Sequence, residues 1–200
     1  MFDEPFRARF GALSGPAARW LTRVGVTPNQ ITIAAAVLGV AAATLVAIGY
    51  PRSGLAVWLA SRVADGMDGT VARAAGSSSA FGGFLDITLD MVAYVAMVLG
   101  FAVAHPALNH AWLGVLAGYV LVITTTLALS DAAGMARRQI STTNRTFQFT
   151  PGLTEAGETT VMYTLWALFP EHLYWLAWAW AAALVVTSVQ RVYLGWRLLG

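Results

Sequence analysis

The sequence predicts an all-α membrane protein, with six transmembrane helices behind an N-terminal amphipathic interfacial helix. Three observations carry that expectation. Hydrophobic residues make up 58% of the chain and charged residues 11%, against roughly 25% charged in an average soluble domain. Mean hydropathy is +0.63. Several apolar runs approach the roughly 20 residues that a helix needs to cross a bilayer. All twelve cations are arginine and there is no cysteine, which excludes disulfides, thiolate chemistry and Cys-ligated zinc. Arg7, Arg9, Arg19 and Arg23 precede the first long apolar run, so no cleavable signal peptide is expected.

Residues 1–26 read as a juxtamembrane segment and residues 27–200 as the transmembrane domain. In the first, Phe6, Phe10, Leu13, Trp20 and Leu21 lie among four arginines, the pattern of a helix on the membrane surface, with a break expected near Gly15-Pro16. Thr27-Pro28-Asn29-Gln30 is a helix start, with Thr27 as N-cap, Pro28 in the first position and Gln30 closing a capping box. The first span runs to Ile48, the second from Ser53 to Ala75, and the third from Phe81 to Ala104. His105 to His110 make a loop, and the fourth span follows from Trp112 to Ala136. The fifth has an apolar core of only Thr159 to Phe169, unless it begins near Leu153 and takes Glu155 and Glu158 into its first turns. Leu173 to Leu198 form the sixth.

Six spans put both termini on one side, and ten arginines fall there: Arg7, Arg9, Arg19, Arg23, Arg73, Arg137, Arg138, Arg145, Arg191 and Arg197. Arg52 alone lies opposite, with Arg62 inside the second span. The positive-inside rule then makes the terminal side cytoplasmic.

The second and third spans hold an anomaly. Four of the ten carboxylates lie between Asp65 and Asp90, although each ionisable residue inside a span costs roughly 2.5–3.5 kcal/mol on insertion. Asp65, Asp68, Ala72 and Gly76 follow one helical stripe, and Gly82, Asp86 and Asp90 follow another. Arg62 and Arg73 are spaced to pair with Asp65 and Asp68, which leaves two acids over. All-oxygen donors at this density suit hard divalent cations, Mg2+ or Mn2+. Two such ions are a known device for displacement at phosphorus. Gly69, Ala72 and Gly82 keep the acidic stripe open to a close-approaching ligand. The histidines, His105, His110 and His172, are expected on the opposite face, so a Ser-His nucleophile pair is not expected.

The spacing Asp-x2-Asp-Gly-x2-Ala-Arg-x8-Gly-x3-Asp-x3-Asp is met at every fixed position from Asp65 to Asp90. It resembles the signature of the CDP-alcohol phosphatidyltransferases, integral-membrane enzymes of phospholipid synthesis. The Thr27-to-Thr32 helix entry is similar to that family's as well. The resemblance implies two divalent cations, with Asp65, Asp68 and Asp86 as ligands, and Asp90 completing the metal site and acting as general base. It implies that Gly69, Ala72, Arg73, Ser79, Gly82, Asn29 and Gln30 hold CDP-diacylglycerol. It further implies a homodimer in a bacterial-type inner membrane, with a cytoplasmic active site in the 27–200 domain and no nucleic-acid partner.

The resemblance also implies a small hydroxyl compound as acceptor. Arg137, Arg138 and Arg145 would suit a polyol phosphate such as glycerol 3-phosphate, and Glu155 and Glu158 would suit hydroxyls or an amine. The Lys-Ala-Arg-Ala-Glu-like run associated with inositol-phosphate enzymes of the family is not present. A divalent-cation transporter or channel, lined by the intramembrane acids, is the alternative reading.

Overall fold

The computed structural model describes residues 15–77, 79–136 and 153–199, and among them no strand occurs. Residues 15–23 are helical (α1). They are followed by α2 (Pro28–Ala47), α3 (Pro51–Ala75), α4 (Ala80–Ala104), α5 (Asn109–Met135), α6 (Ala156–Leu168) and α7 (Leu173–Leu199). Single 3-10 turns at Pro106–Leu108 and Pro170–His172 precede α5 and α7. The six long helices expected after residue 27 are therefore all present, with ends shifted by a few residues. Pro51 illustrates why: the second span starts two residues earlier than expected because Pro51 occupies the first turn of α3, where its missing N–H costs nothing.

The described helix opens at Gly15 and Pro16, where a break is expected; the residues before them lie outside the described ones. Ala18 is fully buried and packs with Leu21 against Ile31 of α2 and Val71, Ala64 and Met67 of α3. α1 thus docks on helices as well as presenting exposed Trp20. Thr27 caps α2 as expected: its hydroxyl accepts the Gln30 N–H, and the Gln30 side chain accepts the Thr27 N–H at 2.9 Å.

The helices fall into two units, Phe2–Pro106 and Ala107–Gly200. In the first, α2 packs on both α3 and α4 through small residues, since Ala35, Ala36, Gly39, Ala42 and Ala43 are buried along it. Small side chains let helix backbones approach closely, and dispersion then holds them where hydrophobic burial cannot. The approach is tightest at Gly100, where an added Cβ would stand 2.5 Å from the Ala43 carbonyl oxygen. Gly100→Ala must push α4 off α2. Overpacking of this kind costs about 1–3 kcal/mol, so the detergent-solubilised protein is expected to melt about 2–12 °C lower. Gly134→Ala, which meets nothing within 4 Å, is the control; equal melting of the two variants would refute the packing argument.

In the second unit, α7 packs on α5 and α6. The Tyr119 and Tyr163 hydroxyls are 2.8 Å apart, and the Trp180 indole N–H donates to Tyr119 at 3.1 Å. Thr154 donates to Thr187 at 3.0 Å, tying the entry of α6 to α7. Glu155 caps α6, and its N–H donates to Glu158 at 3.2 Å.

The protein is an integral membrane protein by its apolar helices. Four segments are long and apolar enough to cross a bilayer: α2, α4, Pro106–Met135 and Pro170–Leu199. The expected six is not met by this measure, for two reasons. The 25 residues of α3 are long enough, but their charges dilute its apolar surface. The 13 residues of α6 rise only about 20 Å, short of a hydrocarbon core about 30 Å thick.

Candidate active site

The acidic stripe spans the end of α3 and the beginning of α4, and the turn between them decides its geometry. α3 closes on Gly76, which is left-handed at φ 59°, a conformation that costs glycine little. Its N–H bonds to the Arg73 carbonyl, and the Ser77 N–H reaches back to Ala72 at 3.0 Å. Ser79 then caps α4 by accepting the Gly82 N–H at 3.0 Å. The chain reverses within a few residues and brings the two stripes face to face.

Asp65, Asp68 and Asp86 each offer an oxygen within 4.8 Å of the others, and all three are half-buried. From α2, the Thr32 hydroxyl donates to Asp68 Oδ2 at 2.6 Å, in preference to the Pro28 carbonyl at 3.1 Å. Like charges this close repel unless cations lie among them. An all-oxygen, all-carboxylate set is the donor chemistry of a hard divalent ion, and Mg2+ or Mn2+ fits it.

Asp90 is not among the three whose oxygens meet within 4.8 Å, but it adjoins them through Arg62. Its Oδ1 accepts from Arg62 Nη1 at 2.7 Å, and the same nitrogen lies 3.6 Å from Asp65 Oδ2. The expected Arg62–Asp65 pair is thus present but secondary. The Arg73–Asp68 pair that spacing allowed is not formed; Arg73 donates to Thr70 at 3.2 Å instead.

The residues expected to hold a nucleotide lie beside the acids. The Arg73 guanidinium comes over Gly69, where an added Cβ would sit 3.3 Å from Nη1. A Cβ at Gly82 would meet Ser79 Oγ at 3.1 Å and Asn29 Oδ1 at 3.4 Å, so the starts of α2 and α4 adjoin. Ala72 is half-buried on the same stripe. Ser79 and the Gln30 amide oxygen are engaged in helix caps. Among the acceptor candidates, Glu155 and Glu158 form the α6 cap, while Arg137, Arg138 and Arg145 lie outside the described residues.

Sequence reasoning missed two contacts of the cluster. Thr32 was noticed only within the helix entry, and Arg62 only as a local partner of Asp65. Arg191, counted before only for its charge, is buried and donates to the Val122 carbonyl at 3.1 Å.

Apolar helices carrying a divalent-metal carboxylate set, with an arginine over glycine beside it, define a membrane enzyme of phosphoryl-group transfer. The chain belongs to the CDP-alcohol phosphatidyltransferase family, whose model matches residues 25–189. It is 34% identical to the inner membrane protein YnjF of Escherichia coli (strain K12), over 100% of this chain and 97% of that protein. It is 31% identical to the phosphatidylinositol phosphate synthase of Mycobacterium tuberculosis (strain ATCC 25618 / H37Rv), over 98% of this chain and 92% of that one. The structure of a Mycobacterium tuberculosis phosphatidylinositol phosphate synthase with CDP-DAG bound matches it at a TM-score of 0.77 and 26% identity, covering 92% of this chain and 94% of that chain. Another, in complex with manganese and citrate, matches at 0.76 and 27%, covering 92% and 88%. The protein is thus an enzyme, a transferase of substituted phosphate groups, and the cation-transport reading is not favoured.

Proposed function

We propose that the protein transfers the phosphatidyl group of CDP-diacylglycerol to a hydroxyl of a phosphorylated polyol, glycerol 3-phosphate or an inositol phosphate, and releases CMP. The observation that carries this reading is the convergence of Asp65, Asp68 and Asp86 as a metal set, with Asp90 adjoining Asp65 through Arg62. Asp65, Asp68 and Asp86 would hold two divalent cations, with Asp90 completing the metal site. When bound, these ions would neutralise the pyrophosphate and the charge developing on the leaving CMP. Asp90 accepts the proton of the acceptor hydroxyl as its oxygen bonds to the β-phosphorus. The bond from that phosphorus to the CMP oxygen breaks, and its electron pair leaves with CMP.

Arg73 pairs with the donor's phosphates, while Gly69, Ala72 and Gly82 leave room for them. Asn29, Gln30 and Ser79 complete the nucleotide's surroundings; Gln30 keeps its amide nitrogen for this, since its oxygen serves the α2 cap. Arg137, Arg138 and Arg145 recognise the acceptor's phosphate, and Glu155 and Glu158 its hydroxyls. The relatives that make phosphatidylinositol phosphate support a phosphorylated polyol, and the inner-membrane relative supports that location. We read residues 1–26 as the juxtamembrane segment and 27–200 as a six-span catalytic domain, with both termini and the active site cytoplasmic, in a homodimer.

The test is CMP release from CDP-diacylglycerol by the purified protein with Mg2+ or Mn2+. Inositol phosphate and glycerol 3-phosphate are compared with inositol, glycerol and serine. Turnover with a phosphorylated acceptor alone is expected. Turnover with serine or an unphosphorylated polyol would overturn the acceptor class, and no CMP with any acceptor would overturn the reaction.

A further inference from the structure

Arg62 brings a positive charge among the acids from within their own helix pair. Its Nη1 donates to Asp90 Oδ1 at 2.7 Å and lies 3.6 Å from Asp65 Oδ2, so one nitrogen serves a carboxylate on α3 and another on α4. Asp65 and Asp90 are near enough to repel one another, and the Arg62 charge reaches Asp68 as well. Nη2 donates to Ser61 Oγ at 3.1 Å, and Ser61, fully buried, donates in turn to the Ala35 carbonyl of α2 at 2.7 Å. Nε is buried with no hydrogen-bond partner. A guanidinium buried with one donor unpaired is costly, and attraction to the acids is what offsets that cost here. The Arg62 side chain is 11% exposed, so the attraction is screened far less than at an open surface.

Ionised, Asp65, Asp68, Asp86 and Asp90 balance the charge of two divalent cations, and Arg62 adds one positive charge beyond that balance. We propose that Arg62 is a resident counter-cation of the metal site. It shares Asp65 and Asp90 with the divalent ion whose site Asp90 completes, and it lowers the affinity for that ion. A hydrogen bond from a cation to Oδ1 draws electron density out of Asp90 and makes it a poorer donor. The guanidinium also repels the incoming ion directly. With no ion bound, the same charge relieves the repulsion between Asp65 and Asp90. A contact that merely oriented a ligand would have the opposite sign, since removing such a support weakens metal binding about 10–100-fold.

The inference rests on the reading of the four acids as a two-cation site, and the wild-type protein tests that reading by itself: no Mn2+ binding there removes the site. Full-length wild-type, Arg62→Met and Arg62→Lys proteins in detergent are titrated with Mn2+, with the free ion read by its electron paramagnetic resonance signal, and each is melted in EDTA. Arg62→Met is expected to tighten the weaker Mn2+ site about tenfold, the Coulomb effect of one unit charge on a divalent ion a few ångströms away even at the dielectric of water. It is also expected to melt below wild type in EDTA, because its acids have lost their cation. Arg62→Lys keeps the charge as a compact ammonium and is expected within about threefold of wild type. Mn2+ affinity that is unchanged or weaker in Arg62→Met overturns the inference, and weakening would make Arg62 a support of the ligands. An Arg62→Lys protein that binds Mn2+ as Arg62→Met does overturns it too, because the fork rather than the charge would then act. If Arg62→Met does not fold, Arg62→Gln, neutral but still able to donate to Asp90, is read by the same signs. If neither folds even in saturating Mn2+, Arg62 holds the helices together rather than tuning the cation, and the inference is overturned.

Discussion

Asp90→Asn is expected to slow CMP release by about 100-fold to 10,000-fold, the usual contribution of a positioned general base, while Mn2+ still binds. The two readouts separate because oxygens of Asp65, Asp68 and Asp86 meet without Asp90, so removing its charge leaves a three-carboxylate donor set. An asparagine oxygen can still accept from Arg62, so the local packing is kept, but it cannot take a proton from an attacking hydroxyl. The KM for CDP-diacylglycerol should change little, since the loss falls on a step after binding. Full turnover in this variant would remove Asp90 from the base role; loss of Mn2+ binding along with turnover would make it principally a ligand.

The acids were legible in the sequence because their placement obeys a rule of one dimension. Asp65 with Asp68, and Asp86 with Asp90, are three or four residues apart, and helical spacing alone puts each pair on one stripe. The α2 cap was equally local: Thr27 with Gln30 is an N-cap signature, whereas Ser79, read only as a nucleotide contact, turns out to cap α4. Contacts between helices were not legible. Arg62 was assigned to Asp65 because they share a helix, yet its shorter bond is to Asp90, 28 residues on. Thr32 reaches Asp68 across 36 residues, and nothing in its own neighbourhood distinguishes that threonine from one bonded to its own helix. Apolar length confirms only four of the six expected spans, for a related reason. Apolar length identifies a helix that faces lipid, whereas α3 carries Arg62, Asp65 and Asp68 half-buried in its own unit. Likewise, Ala18 shows one face of α1 buried against helices, which an amphipathic pattern alone reads as a face for lipid.

Asp68→Asn is expected to move two melting temperatures in opposite directions. In the metal-free protein, three half-buried carboxylates within 4.8 Å of one another repel, so neutralising one should raise stability and the melting temperature. Added Mn2+ stabilises the native state by RT ln(1 + [L]/Kd), about 2.7 kcal/mol at a concentration 100 times Kd. Asp68→Asn should lose most of that gain, because an amide oxygen is a weaker ligand for a hard cation than a carboxylate. Thr32→Val probes the same ligand from behind. The buried side chain keeps its shape and loses only the hydroxyl that holds Asp68 Oδ2 at 2.6 Å. Such supporting contacts are worth about 10–100-fold in metal affinity or activity, so Thr32→Val should fall between wild type and Asp68→Asn in its Mn2+-induced shift. Chelation should stop CMP release in all three proteins, and Mg2+ or Mn2+ should restore it most fully in the wild type. A metal-free Asp68→Asn protein that melts below wild type, yet shows the full Mn2+ shift, would mean that Asp68 serves packing through Thr32 and that the cation is held by other residues.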